Sequence, residues 1–242
     1  MEIVRTTFND RVNEIESYYS FLLFLDQGIT LGTTTISMAN NSFPVSPLLK
    51  KNLFANIYLH LYNLVESTVT LLLKAAERKI ISDVSINGIN VLNSDIQALW
   101  IRYIAGTHDI LPPEKRLEKA LDMCGYFLQQ LPFNLEISKG GGGNWDNENI
   151  RLLAKRLGVN LTIPRAINSL IKVPVKDGKG PIQIITTTRN KLAHGEISFS
   201  ECGEDLTIVM VRKLIDISVN YLEVVIDCFE RYLINGHYKI VN

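Results

Sequence analysis

The stretch LLKKNLFANIYLHLYNLVESTVTLLLKAAERK, residues 48–79, decides the fold. Pro47 precedes it, and a proline is well tolerated at the start of a helix, where its missing N–H has no partner to lose. A surface helix keeps one polar face, whereas this segment is apolar nearly all round, so its neighbours must cover it on several sides. The sequence therefore predicts an all-α protein, with this helix at the centre of a helical bundle.

Working outward, Phe8, Val12, Ile15, Tyr19 and Leu22 recur at helical spacing and predict a first helix over 7–27, with Gly28 as its stop. The Thr-, Ser- and Asn-rich run TLGTTTISMANNSF reads as a loop with room for a short strand. Beyond Lys79, SDVSINGINVLN carries turn signals, and Ser94 is a candidate cap for a helix DIQALWIRYIA ending at Gly106. Pro112 and Pro113 open EKRLEKALDMCGYFLQQL, which Pro132 stops, and PFNLEIS reads as a short strand. Asp146 or Asn147 is placed to cap ENIRLLAKRLG, and Pro164 precedes a short helix RAINSLIKV. The helix PIQIITTTRNKLAH starts at Pro181 and meets Gly195, and a last long helix covers about 205–234. The expected organisation is one domain over 1–242, with a long, partly irregular insertion at about 80–180.

Composition narrows the function classes. Of 242 residues, 46% are hydrophobic and 21% charged, which excludes general disorder. No apolar run reaches the roughly 18 residues needed to span a bilayer, and MEIVRTTFNDRVNEIE lacks an apolar signal core. A cytoplasmic protein without a membrane partner is the expectation. Cys124, Cys202 and Cys228 are odd in number and lack CxxC spacing, so buried free thiols are expected rather than disulfides or structural zinc. No HExxH, GxSxG or metal-spaced carboxylate cluster occurs, so neither a metal nor a cofactor is expected.

The formal charge is zero, with 25 basic and 25 acidic residues, but its distribution is uneven. Between positions 151 and 194 stand nine Lys and Arg, among them Arg151, Lys155, Arg156 and Arg165, against the single acid Asp177. Such a segment suits a phosphate backbone or a solvated face beside an acidic neighbour. Four glycines at 140–143 precede a helix, but no Lys-Ser or Lys-Thr of a P-loop follows, and a flap facing a substrate is the better reading.

The stretch RNKLAHG, residues 189–195, carries the chemistry. On a helix, Asn190 and His194 share a face one turn apart, with Arg189 at its edge. An imidazole moves protons near neutral pH, and its charged form is favoured at a helix C-terminus. A guanidinium offers a permanent charge and a planar fork to a phosphate. Two other pairs, Arg102 with His108 and Arg231 with His237, have similar spacing, but Gly106 interrupts the first and Asn235-Gly236 the second. Glu66 stands in the apolar run LYNLVEST, where an unpaired carboxylate is costly, and is a candidate partner for Arg189 or His194.

Arg, a few residues and His at the end of a helix in a helical bundle resembles the motif of the HEPN superfamily. RNKLAHG with the following Ser198-Phe199, LYNLVEST, and GGNWDNENIRLLAKRLG are similar to one bacterial subfamily of HEPN-like nucleases, across about 48–234. The resemblance implies a metal-independent RNA endonuclease acting as a toxin or phage-defence effector. Arg189, Asn190 and His194 would be catalytic, with Glu66 and Lys191 in support and the basic segment on the RNA. It also implies a homodimer with facing motifs and, as a candidate, an antitoxin or defence-system partner protein. HEPN toxins controlled by a nucleotidyltransferase carry a tyrosine two residues past the histidine; Glu196 stands there, which argues against that control. The alternative is a non-catalytic HEPN module for dimerisation, partner or nucleotide binding; a regulatory subunit that restrains a neighbouring nuclease is a third option.

Overall fold

The computed structural model describes residues 1–30, 34–39, 41–105, 112–128, 131–139 and 144–240; the glycine run at 140–143 and His108 lie outside them. The central segment folds as expected but in two pieces, α2 (Pro47–Ala55) and α3 (Ile57–Asn87). Ser46 caps α2 by accepting the Leu49 N–H. The break at Asn56 has an identifiable cause. The hydroxyl of Tyr18 donates to the Leu53 carbonyl at 2.6 Å, and the Asn56 side chain donates to the Asn52 carbonyl. Side chains that enter the backbone ladder in this way bend a helix. At its other end α3 runs eight residues past Lys79, and Gly88 caps it.

Two further long helices pack around this axis. α1 (Glu2–Thr30) lies along α3, and α10 (Ile208–Ile234) packs against both. α1 and α10 run antiparallel, as their ion pairs demand. Arg5 pairs with Asp227 and Glu230, while Arg212 grips both Glu16 oxygens at 2.7 and 2.8 Å. Such exposed pairs contribute little stability, and their geometry fixes the register. α8 (Pro181–Ala193) lies against α3 and α10, with α7 (Arg165–Lys172) beside it. On α3 alone fifteen residues from Ile57 to Val84 are buried, which is how an all-round apolar helix avoids water.

The segment expected as an insertion feeds the same hydrophobic cluster through Ile80, Leu92, Trp100, Ile137, Trp145 and Ile150. α4 (Ser94–Ala105) is capped by Asn93, whose side chain accepts the Ile96 N–H, rather than by Ser94. Trp100 of α4 sits among Tyr126 and Phe127 of α5 (Pro113–Phe127) and Phe133. PFNLEIS forms no strand. Leu135 and Ile137 do alternate inward, but the Ile137 N–H donates to the Glu77 carboxylate at 2.7 Å instead of to a second strand. Asp146 caps α6 (Asn147–Leu157). The only sheet among the described residues is a hairpin, β1 (Thr35–Met38) with β2 (Asn41–Pro44), where one short strand at most was expected. A short helix, α9 (Phe199–Cys202), was not anticipated. It ends on Gly203 against α2, where a Cβ would stand 2.0 Å from the Lys51 carbonyl oxygen. Of the three cysteines, Cys202 and Cys228 are buried and Cys124 is exposed, contrary to expectation, because its face of α5 points outward. Burial pushes the Cys202 thiol up to about 11. No described helix is long and apolar enough to cross a membrane.

A buried carboxylate clasps the C-terminal turn to α3. Asp83 accepts from Tyr238, from Lys79 at 3.0 Å and from Lys239 at 2.6 Å. Burial alone would raise its pKa, but those hydrogen bonds outweigh it and hold the group at about 2. The folded value lies below the unfolded one of about 3.9, so the clasp contributes fully above about pH 4 and fades as pH falls towards 2. Asp83→Asn is expected to cost roughly 1–3 kcal/mol at neutral pH. Thermal unfolding from pH 6 to 2.5 should show the gap to wild type closing below pH 4.

Candidate active site

The motif occupies the last turn of α8. Ile182, Ile184, Ile185, Thr186, Thr188 and Leu192 are buried, which turns Arg189 and Asn190 towards the rim and leaves Lys191 half-buried. His194 is the C-cap, with φ −91° and ψ 0°, and its side chain is exposed. Gly195 follows at φ +70°, a conformation that favours glycine. Its N–H reaches the Leu192 carbonyl, and the Glu196 N–H reaches the Lys191 carbonyl. This paired closure satisfies carbonyls that the helix end would otherwise leave bare, and it fixes where the imidazole leaves the backbone.

Arg189 is held on three sides. Its Nη2 lies 3.2 Å from Glu66, its Nη1 donates to the Asn190 side chain at 2.9 Å, and its guanidinium stacks 3.8 Å from the centre of the Tyr62 ring. Tyr62 and Glu66 are one turn apart on α3 and so present a ring and a carboxylate on one face. The Asn190 amide donates in turn to Asn144 at 2.9 Å. Glu66 thus pairs with Arg189 rather than with His194. Among the described residues the His194 imidazole makes no hydrogen bond, and none joins it to Arg189.

A short strap places Asn144. Trp145 is buried, its carbonyl accepts from the Thr186 hydroxyl at 2.6 Å, and its backbone hydrogen-bonds the Tyr62 phenol. One peptide segment therefore ties α3 to α8 immediately beside the motif. Burial and the nearby Glu66 raise the Tyr62 pKa, while Arg189 and that backbone bond oppose the rise. The phenol thus stays neutral at physiological pH.

The basic segment does not form one surface. Arg151 donates to Asn168 of α7 at 2.8 Å, whereas Arg156 turns to the Ser138 carbonyl. Five residues on a helix separate them by roughly 140°. Lys155 and Arg165 are exposed. No group of three or more potential metal ligands occurs among the described residues.

A family model described as HEPN_MAE_28990-like HEPN matches residues 2–238. The chain belongs to this HEPN family. No curated protein and no solved structure matches it. Membership points to a nuclease or a nucleotide-binding module, and helical architecture is what a HEPN domain requires. The three stretches that carried the sequence resemblance are brought to one place in this HEPN fold: LYNLVEST supplies Tyr62 and Glu66, GGNWDNEN supplies Asn144 and Trp145, and RNKLAHG supplies Arg189 and Asn190. Tyr62, Asn144, Trp145 and Thr186 were missed as site residues. Tyr62 and Trp145 look like core aromatics, and only their places in the quoted stretches mark them out.

With side chains 28% and 36% exposed, Arg189 and Glu66 are screened, and their mutual stabilisation is small. A double-mutant cycle with Glu66→Gln and Arg189→Gln should return a coupling of about 0.2–1 kcal/mol in urea unfolding. Gly195→Ala should cost about 1 kcal/mol through its positive φ alone, since a Cβ there meets nothing within 4 Å.

Proposed function

We propose that the protein is a HEPN ribonuclease that cuts RNA without a metal ion, with Arg189, Asn190 and His194 at its active site. The observation that carries this reading is the arrangement around Arg189. A guanidinium is stacked and hydrogen-bonded in a fixed pose beside a helix end whose histidine is exposed and unengaged among the described residues. Pre-positioned charge next to an accessible proton carrier is what phosphodiester transfer needs.

In the proposed reaction the 2′ oxygen of RNA attacks the adjacent phosphorus. The O2′–P bond forms as the P–O5′ bond breaks. His194 takes the 2′-OH proton or delivers a proton to the departing 5′ oxygen, and Arg189 stabilises the charge on the pentavalent phosphate. Asn190, held by Asn144, orients the phosphate, and Glu66 keeps Arg189 aligned. Lys191 adds positive charge at the half-buried rim. The products are a 2′,3′-cyclic phosphate and a 5′-OH. The single histidine of the motif leaves one proton transfer to a second group, so two chains with facing motifs make the fuller site. Along the family resemblance, the cellular role is that of a toxin or phage-defence effector in the cytoplasm, restrained by a partner protein.

One observation favours a binding module instead. Glu66 already neutralises Arg189 in the free chain, and a purely structural ion pair would look the same.

Labelled mixed-sequence RNA and its DNA counterpart, incubated in EDTA with wild-type and His194→Ala protein, separate the two readings. The nuclease reading expects cleavage of RNA alone and a loss of roughly 10²- to 10⁴-fold in the variant. Undiminished cleavage by a protein carrying both His194→Ala and Arg189→Ala would sink it.

A further inference from the structure

A cavity of about 770 Å³ opens between α3, α4, α6 and residues 136–139. Four cations line it: Lys74, Arg102, Lys139 and Arg156. None of them forms an ion pair among the described residues, although thirteen such pairs occur elsewhere. Arg156 donates to the Ser138 carbonyl, but its Nε is buried without a partner. Burial and the proximity of Arg102 lower the Arg156 pKa, and both guanidinia line the one concavity. Of the two carboxylates on the wall, Glu77 is engaged by the Ile137 N–H and burial pushes its pKa up, while Glu136 is exposed. Leu73, Leu99 and Tyr103 supply an apolar and aromatic side.

Two relations along the chain place the cavity near the motif. Glu66, Thr70 and Lys74 follow one another at single-turn intervals on α3, so the cavity begins about 6 Å along the helix from the Arg189 partner. Residues 136–139 on its rim belong to the same stretch of chain that leads to Asn144, the partner of Asn190.

We propose that this cavity is a phosphate-binding subsite that holds the RNA strand beside the motif, with Arg102, Arg156, Lys74 and Lys139 on the phosphate and Tyr103 against a base. Guanidinia without an ion-pair partner recognise phosphate oxygens, and an aromatic beside them stacks any base without reading its sequence. The proposal rests on the ribonuclease reading for the identity of the strand, while the cavity chemistry is independent of it.

The test uses the full chain and a fluorescent 2′-O-methyl RNA 12-mer, which lacks the attacking hydroxyl and remains intact. Arg102→Gln with Lys139→Gln changes two exposed side chains, and Lys74→Gln is a separate exposed variant; unchanged melting midpoints establish that each folds. The double variant is expected to bind about tenfold more weakly, and its slope of log K against log salt should shrink by about 1.4 for two lost charges. The single variant should lose about half that slope. Adenosine triphosphate should compete with the oligomer for wild type and fail to do so for the double variant. Unchanged RNA affinity and salt slope in both variants would overturn the subsite, as would loss of ATP binding alone with RNA affinity intact. Absent cleavage of unmodified RNA by the wild-type chain, together with this binding pattern, rejects the nuclease reading and keeps the subsite.

Discussion

Everything in this chain answers to the need to cover α3. A helix that is apolar on nearly every side cannot end at one neighbour, and the hydrophobic effect recruits α1, α8 and α10 around it. Once those helices are in place, the polar residues that α3 does carry are forced to the gaps between them. Glu66 and Tyr62 emerge at the junction with α8, and Asp83 emerges under the C-terminal turn. The candidate site and the terminal clasp are thus two consequences of one burial problem.

Most helices were legible because their signals are local. The periodicity of α1, the proline before α2, the glycine after α8 and the cap of α6 each act within a turn or two. The misses came where a distant residue decided the outcome. Tyr18 breaks the predicted central helix from another element, and no reading of 48–79 alone would reveal that. Leu135 and Ile137 have the alternation of a strand, and alternation reports two faces rather than a pairing partner; the partner here is a helix side chain. α9 is the exception: its Ser198–Glu201 capping box is a local signal, and only its close seat against Lys51 involves a distant residue.

At the candidate site, sequence reasoning named the residues whose chemistry is visible in their type: Arg189, Asn190, His194 and Glu66. It did not reach those that act by holding. Tyr62 looks like core from its spacing, and is both core and platform. The basic segment shows the limit of counting charges along a chain. Arg151 and Arg156 lie close in sequence and face different neighbours, while Arg156 meets Arg102 from a separate helix.

The strap at Trp145 separates two kinds of tolerance. Its ties to Thr186 and Tyr62 are made by peptide groups, which every amino acid except proline possesses in full. The side chain at 145 can therefore drift through other large apolar residues while the motif keeps its alignment. The spacing between Asn144 and the α6 cap at Asp146 cannot drift in the same way, because a residue gained between them would shift the peptide out of register with α8. In the history of such a protein, this stretch should accept changes of letter more readily than changes of length.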